Sequence, residues 1–389
     1  MQRKELSEAG ACTLGRVFGY EPTISRRLID AAGSIEALFS LPESARDELL
    51  GPYSVWRGKI SDAELEKSFL ELEKLRARGF RFISQDDPLY PELLKECEDA
   101  PAGLYIRSSS EMWDIFDDTP FVSIVGTRDI SAYGKEWCRR IVFTLATAPV
   151  KPVIVSGMAL GVDGTAHQAA FEAGLRTIGV MPTGIDEVYP EAHRRMAEQI
   201  TFTPGSALIT DFPPSTQPQA STFLRRNRII AGLSGATILV ESRKRGGGLI
   251  TANTAFSYGR EVYAVPGRLD DSRSEGCNIL MQRKIAENVG NIAELPEALG
   301  LGRWRRRKKT EIAEEVTARY SGKLPDAEVS ALRAVASYIR GFRGADPEQI
   351  SNALGIDYIR TTMLVGKLVA DGFVEQDLCQ RCSIIVRIE

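Results

Sequence analysis

Between Phe121 and Gly267 six apolar runs, FVSIVG, PVIVSG, RTIGVM, SALITDF, ATILVES and EVYAVPG, alternate with stretches of helical spacing. The runs are nearly continuous rather than alternating, as a strand buried on both faces requires. Strand and helix in regular alternation build a parallel sheet with helices on both sides. The expected fold class is therefore α/β, a doubly wound sheet, which FRFIS, the turn DDPLYP and GLYIR extend at its leading end.

The flanks differ in character. Residues 1–80 carry helical spacing in LIDAAGSIEALFSL and SDAELEKSFLELEKLRARG, with Ser61 placed to cap the latter, and read as a small helical domain. The α/β domain occupies 81–298, and 299–325, with RWRRRKK, reads as a basic linker. In 326–389 the order ALRAVASYI, PEQISNALG, YIRTTMLVGKLVADG, FVEQD, SIIVRIE is that of a winged helix. The net charge of −3 hides an asymmetry: residues 1–120 hold 15 basic and 23 acidic side chains, residues 299–325 eight and three. RRNR (225–228) and RKR (243–245) concentrate positive charge in two places, which attracts polyanions whatever the total. MQRKELSEAGACTLG has no apolar signal core, and no run approaches the ~18 apolar residues that span a bilayer, so the expected location is cytoplasmic, without membrane contact. Cys379 and Cys382 have no second pair nearby, and reduced packing thiols are expected rather than a metal site.

In doubly wound sheets ligands sit beyond the carboxyl ends of the strands. Four loops qualify. In IVGTRDISAYG, Gly126 closes a strand and Arg128 follows; SGMALGVDGTAH carries Gly157, Gly161 and Gly164; DFPPSTQPQASTF leads into the helix STFLRRNRIIAGLS; SRKRGGGLITANTA carries Gly246, Gly247 and Gly248. None fits the GxGxxG dinucleotide or GxxxxGK[ST] triphosphate pattern, so no NAD, ATP or other cofactor is expected. Wound as a helix, STFLRRNRIIAGLS places Arg226 inside an apolar arc of Phe223, Ile229, Ile230 and Leu233. A guanidinium there needs a partner. Either a ligand phosphate or a buried carboxylate, Asp211 or Glu241, meets that need. Asp163 and His167, four apart, suit either acid/base chemistry or a cap beside a packed imidazole.

SIVGTRDISAYG, IVSGMALGVDGTAHQAAFEAG, FLRRNRIIAGLS, GGGLITANTAFSYGREVYAVPG and SEGCN, in this order over roughly residues 85–290, closely resemble the DNA-processing protein A family. The resemblance implies an extended Rossmann-like domain, sequence-independent binding of single-stranded DNA, a homodimer, and loading of a RecA-type recombinase during natural transformation. Carried over by motif, the DNA pocket comprises Gly126, Arg128, Gly157, Gly161, Phe223, Arg225, Arg226, Asn227, Arg228, Gly247 and Gly248, with Phe223 available for base stacking. The chain departs from the family pattern at Leu224, where a proline often starts the helix, at Gly246 to Gly248, where two hydroxyls are common, and at Lys284 and Ile285, where a Gly-Ala pair is common. The dimer interface is expected around Ile279 to Ile285. Two other functions compete: a nucleotide-processing enzyme of phosphoribohydrolase type, whose PGGxGT signature is absent, and a duplex-DNA regulator acting through the winged helix, whose candidate recognition helix offers only Arg360 and Lys367.

Overall fold

The structure, a computed structural model, describes residues 3–117, 119–301, 309–341, 345–377 and 380–384. Five helices lead the chain: Arg3–Phe18, Pro22–Ala32, Ile35–Ser40, Glu43–Leu50 and Asp62–Ala77. Their starts are written locally. Ser34 Oγ accepts from Ala37 N and Ser61 Oγ from Glu64 N, each satisfying an orphan amide of the first turn.

Nine strands of the described residues then form one sheet: β1 (Arg81–Ser84), β2 (Gly103–Arg107), β3 (Phe121–Val125), β4 (Val153–Gly157), β5 (Thr177–Val180), β6 (Ala207–Thr210), β7 (Ala236–Leu239), β8 (Glu261–Ala264) and β9 (Glu287–Asn288). Their spatial order is β1-β2-β6-β5-β4-β3-β7-β8-β9. The pairs from β6 through β9 are parallel, and β1 and β2 add antiparallel at one edge. Strands β3 to β7 are buried along their whole length, the physical counterpart of the continuous apolar runs. From β3 the chain winds outward through β4, β5 and β6, then returns through the helix Ala220–Leu233 and resumes at β7 on the other side of β3. The winding direction reverses between β3 and β7, and this switch point opens a crevice at the carboxyl edge.

The two faces bury different helices. Ile229, Ile230 and Leu233 of the arginine helix pack with Ala252 and Ala255 of the helix Gly247–Ser257 on one side. Ile141, Val142 and Leu145 pack with Ala166, Ala169 and Ala170 on another. The leading helices do not form a core of their own: Leu14, Leu38 and Leu72 share one apolar cluster with Tyr105, Met158, Met181 and Leu208. The boundary drawn at residue 80 from composition is therefore crossed by continuous packing.

The trailing unit holds the helices Lys309–Tyr320, Asp326–Gly341, Pro347–Leu354 and Tyr358–Ala370 and an antiparallel pair, β10 (Val374–Gln376) with β11 (Cys382–Ile384). Ile312, Val316 and Tyr320 lie in its core, so the second half of the expected linker is a packed helix. The basic run at 303–308, Cys379 and the end of SIIVRIE lie outside the described residues. No helix of the described residues is long and apolar enough to cross a membrane.

Candidate nucleic-acid interface

The loops after β3, β4, β5, β6 and β7 meet at the carboxyl edge, and glycines let them touch. A Cβ at Gly126 would lie 2.6 Å from Val162 Cγ2 and 2.8 Å from the Glu241 carbonyl; one at Gly248 would lie 2.7 Å from the Gly126 Cα. Gly161 has φ +81, left-handed territory that suits glycine, and a Cβ there would sit 2.3 Å from the Thr127 carbonyl and 2.6 Å from that of Arg128. The loop after β4 thus rests on the backbone that carries Arg128. Gly247 has open space around it at the first turn of its helix, and Asn227 Nδ2 donates to its carbonyl at 3.5 Å.

The arginine helix starts without a proline. Gln219 N donates to Thr222 Oγ1 at 3.1 Å, and Leu224 lies exposed within the helix. The four RRNR positions then separate. Arg225 Nη2 donates to Asp211 Oδ2 at 2.6 Å, and its guanidinium lies over the rings of Phe212 and Tyr20 at 4.5 and 5.0 Å. Arg228 donates to the same Asp211 oxygen and to the Asp99 carbonyl. Arg228 is buried and Arg225 nearly so. Arg225 and Arg228, both expected at the DNA pocket, are held here by one buried carboxylate, since desolvated charges of opposite sign compensate each other.

Arg226 differs. It is 3% exposed, its Nη1 stands 3.9 Å from Asp163 Oδ2, it makes no hydrogen bond with the described residues, and its Nε is a buried donor without a partner. Burial pulls its guanidinium down to about 10, opposed by Asp163, with Arg128 adding to the fall. Burial likewise raises the Asp163 carboxyl above the usual range despite Arg226. Neither expected partner serves: Asp211 is taken by Arg225 and Arg228, and the Glu241 carboxylate accepts from Ser131 N at 2.9 Å and from Ser131 Oγ, the oxygen that in turn accepts from Gly134 N and caps the helix Ala132–Leu145. Gly157 makes room for Arg226, since a Cβ there would lie 1.7 Å from Nη1.

Arg128 is exposed, forms no ion pair among the described residues, and stacks on Phe223 with its guanidinium carbon 4.3 Å from the ring centroid. Phe223 also meets Tyr189, from the loop after β5, edge to face at 5.7 Å and 71°. His193 Nδ1 donates to the Met158 carbonyl at 3.0 Å and ties that loop to the one after β4. Nearby, Arg243 and Arg273 share Asp129 at 3.3 Å each. Spacing did not single out Asp163 as the neighbour of Arg226, nor Tyr189; the aromatic in DEVYPEAH, just past the RTIGVM strand, was the available signal for the latter.

His167 is committed to packing contacts of its own. His167 Nε2 donates to the Gly157 carbonyl at 2.8 Å, Nδ1 lies 2.7 Å from Thr177 Oγ1, and burial pulls the imidazole down to about 4, so it is a neutral packed group. In the trailing unit Lys367 is paired with Glu328 at 3.2 Å, while Arg360, Tyr358, Ile359 and Met363 are exposed on the same helix. That surface mixes three large apolar or aromatic side chains with one guanidinium unpaired among the described residues.

Residues 81–300 match the family described as DNA recombination-mediator protein A. The chain is 36% identical over 286 residues to Protein Smf of Synechocystis, a match covering 73% of this chain and 71% of that protein. DNA processing protein A (DprA) of Streptococcus pneumoniae aligns in structure with a TM-score of 0.61 at 27% identity, over 77% of this chain and 98% of that one. DNA processing protein A of Helicobacter pylori, a structure described for its single-stranded DNA binding mode, aligns with a TM-score of 0.50 at 27% identity, over 57% and 95%.

Proposed function

This chain belongs to the DNA recombination-mediator protein A family, and on that premise we propose that it binds single-stranded DNA without reading its sequence and passes the strand to a RecA-type recombinase. One observation carries the binding site: Arg226 is a buried, protonated guanidinium with no hydrogen bond among the described residues, set in the crevice at the switch point. A phosphate oxygen entering there supplies the acceptor that the fold withholds, and a charge-assisted bond in a desolvated site is strong. Exposed Arg128 supplies a second cation at the mouth, and the free first turn at Gly247 adds amides. Of the motif-derived set, Arg128, Arg226, Phe223 and Gly247 line the proposed site, and Gly126, Gly157, Gly161, Gly248 and Asn227 shape it. No reaction is proposed; the backbone is bound, not cleaved.

The division of labour along the chain is part of the proposal. Residues 81–298 hold the strand, the leading helices support the sheet, and the trailing unit contacts a protein rather than duplex DNA. A homodimer joined around Ile279 to Ile285 completes it. Anisotropy titrations with labelled oligothymidine, the matching duplex and a nucleoside monophosphate test the reading. Single strand should bind tightest, independently of sequence, and no base should be released from the monophosphate. Tighter binding of duplex, or steady base release, overturns it.

A further inference from the structure

The geometry points to Tyr189 as the ring on which a nucleobase stacks, with Phe223 a positioning residue; we propose this assignment, which rests on the single-strand reading above. A stacking platform needs a bare aromatic face. Phe223 does not offer an open one: it is half-buried, the Arg128 guanidinium lies over its ring at 4.3 Å, and Tyr189 meets it at 71°. Tyr189 keeps 41% of its surface exposed, and two near-perpendicular rings leave it at least one face that Phe223 does not touch. Its loop is also held in place. Gly184 N donates to the Thr216 carbonyl at 3.1 Å, Thr210 Oγ1 donates to the Thr183 carbonyl at 2.8 Å, and His193 anchors the far end.

The three side chains form a sequence in space, Arg128 on Phe223 and Phe223 against Tyr189. A guanidinium held over a ring is ordered before ligand arrives, and cation–π contact leaves its N–H groups free to donate to phosphate. Phosphate and base contacts therefore lie side by side, as successive atoms of one nucleotide require. The hydroxyl is not needed for stacking, since the base meets a π-face.

The test compares the full-length chain on oligothymidine and on an abasic strand of equal length. Wild type should prefer the thymidine strand by about 5- to 150-fold, the range of one base–aromatic stack. Tyr189→Leu, which keeps an apolar side chain without a π-face, should bring that ratio close to one while leaving abasic-strand affinity, salt slope and melting temperature unchanged. Tyr189→Phe should retain it. Phe223→Leu should lower both the ratio and the salt slope, because Arg128 loses its seat. An unchanged ratio in Tyr189→Leu, or a lost ratio in Tyr189→Phe, overturns the assignment and leaves the single-strand reading standing. A wild type that binds neither strand overturns both.

Discussion

Arg226 Nη1 and Asp163 Oδ2 face each other 3.9 Å apart beside Gly157, too far for a hydrogen bond, with both side chains buried. The pair is an ionic contact held open rather than a closed salt bridge. Its desolvation is not repaid by hydrogen bonding among the described residues. Arg226→Met should therefore cost little stability, under about 2 kcal/mol, because no hydrogen bond is lost and Asp163, whose carboxyl burial already raises, can take up a proton instead of standing as a lone buried charge. Affinity for every single strand should drop, and the salt slope should lose about 0.7, one phosphate contact. A loss of about 3 to 5 kcal/mol in urea melts, with the slope unchanged, would show that Arg226 is structural.

Gly157→Ala tests the same seat from the other side. The added methyl would lie 1.7 Å from Arg226 Nη1 and 2.4 Å from Asp163 Oδ2. Overpacking of this kind costs about 1 to 3 kcal/mol. Single-strand affinity should fall along with it, and a variant that binds as wild type places the phosphate elsewhere.

Asp211→Asn should be the most damaging polar change. It leaves buried Arg228 and nearly buried Arg225 without their shared carboxylate, which is expected to cost about 3 to 5 kcal/mol. Denaturant midpoints read this directly. By contrast Arg128→Ala, at an exposed position, should leave the midpoint unmoved and shift only the salt slope, by about 0.7.

The pH dependence follows from His167. Burial holds its imidazole down to about 4 in the native state, against about 6.5 in the unfolded chain. Between those values the unfolded chain binds a proton that the native chain refuses, so stability falls as pH drops, by about 1.4 kcal/mol per unit and about 3 kcal/mol in all. Asp163, raised by burial, works in the opposite sense as pH falls. Denaturant melts across this window should show a flatter slope in His167→Gln than in wild type; equal slopes would mean that His167 titrates normally.

Lys284 sits at φ +55 just past the helix Glu275–Gln282, with Lys284 N bonded to the Met281 carbonyl and Ile285 N to that of Leu280. This is the left-handed residue of a Schellman termination, where glycine is favoured. Lys284→Gly should raise the melting temperature by the equivalent of about 0.5 to 1 kcal/mol, and Lys284→Val should lower it.

The sequence alone determined the sheet, its crossing helices and the edge proposed for the ligand, because burial on both faces imposes apolar runs that are readable one residue at a time. It also singled out Arg226, since helical spacing sets a charge within an apolar arc. It did not determine which carboxylate serves which arginine. Arg225, Arg226 and Arg228 are near neighbours on one helix, yet two go to Asp211 at the end of β6 and one faces Asp163 beyond β4. That partition depends on where neighbouring strands end and on how closely Gly157 lets a side chain pass. The same holds for Tyr189, whose contact with Phe223 exists only because the loops after β5 and β6 pack together. Periodicity reports which face a residue occupies; the distance across a crevice is set by packing between segments remote in the chain.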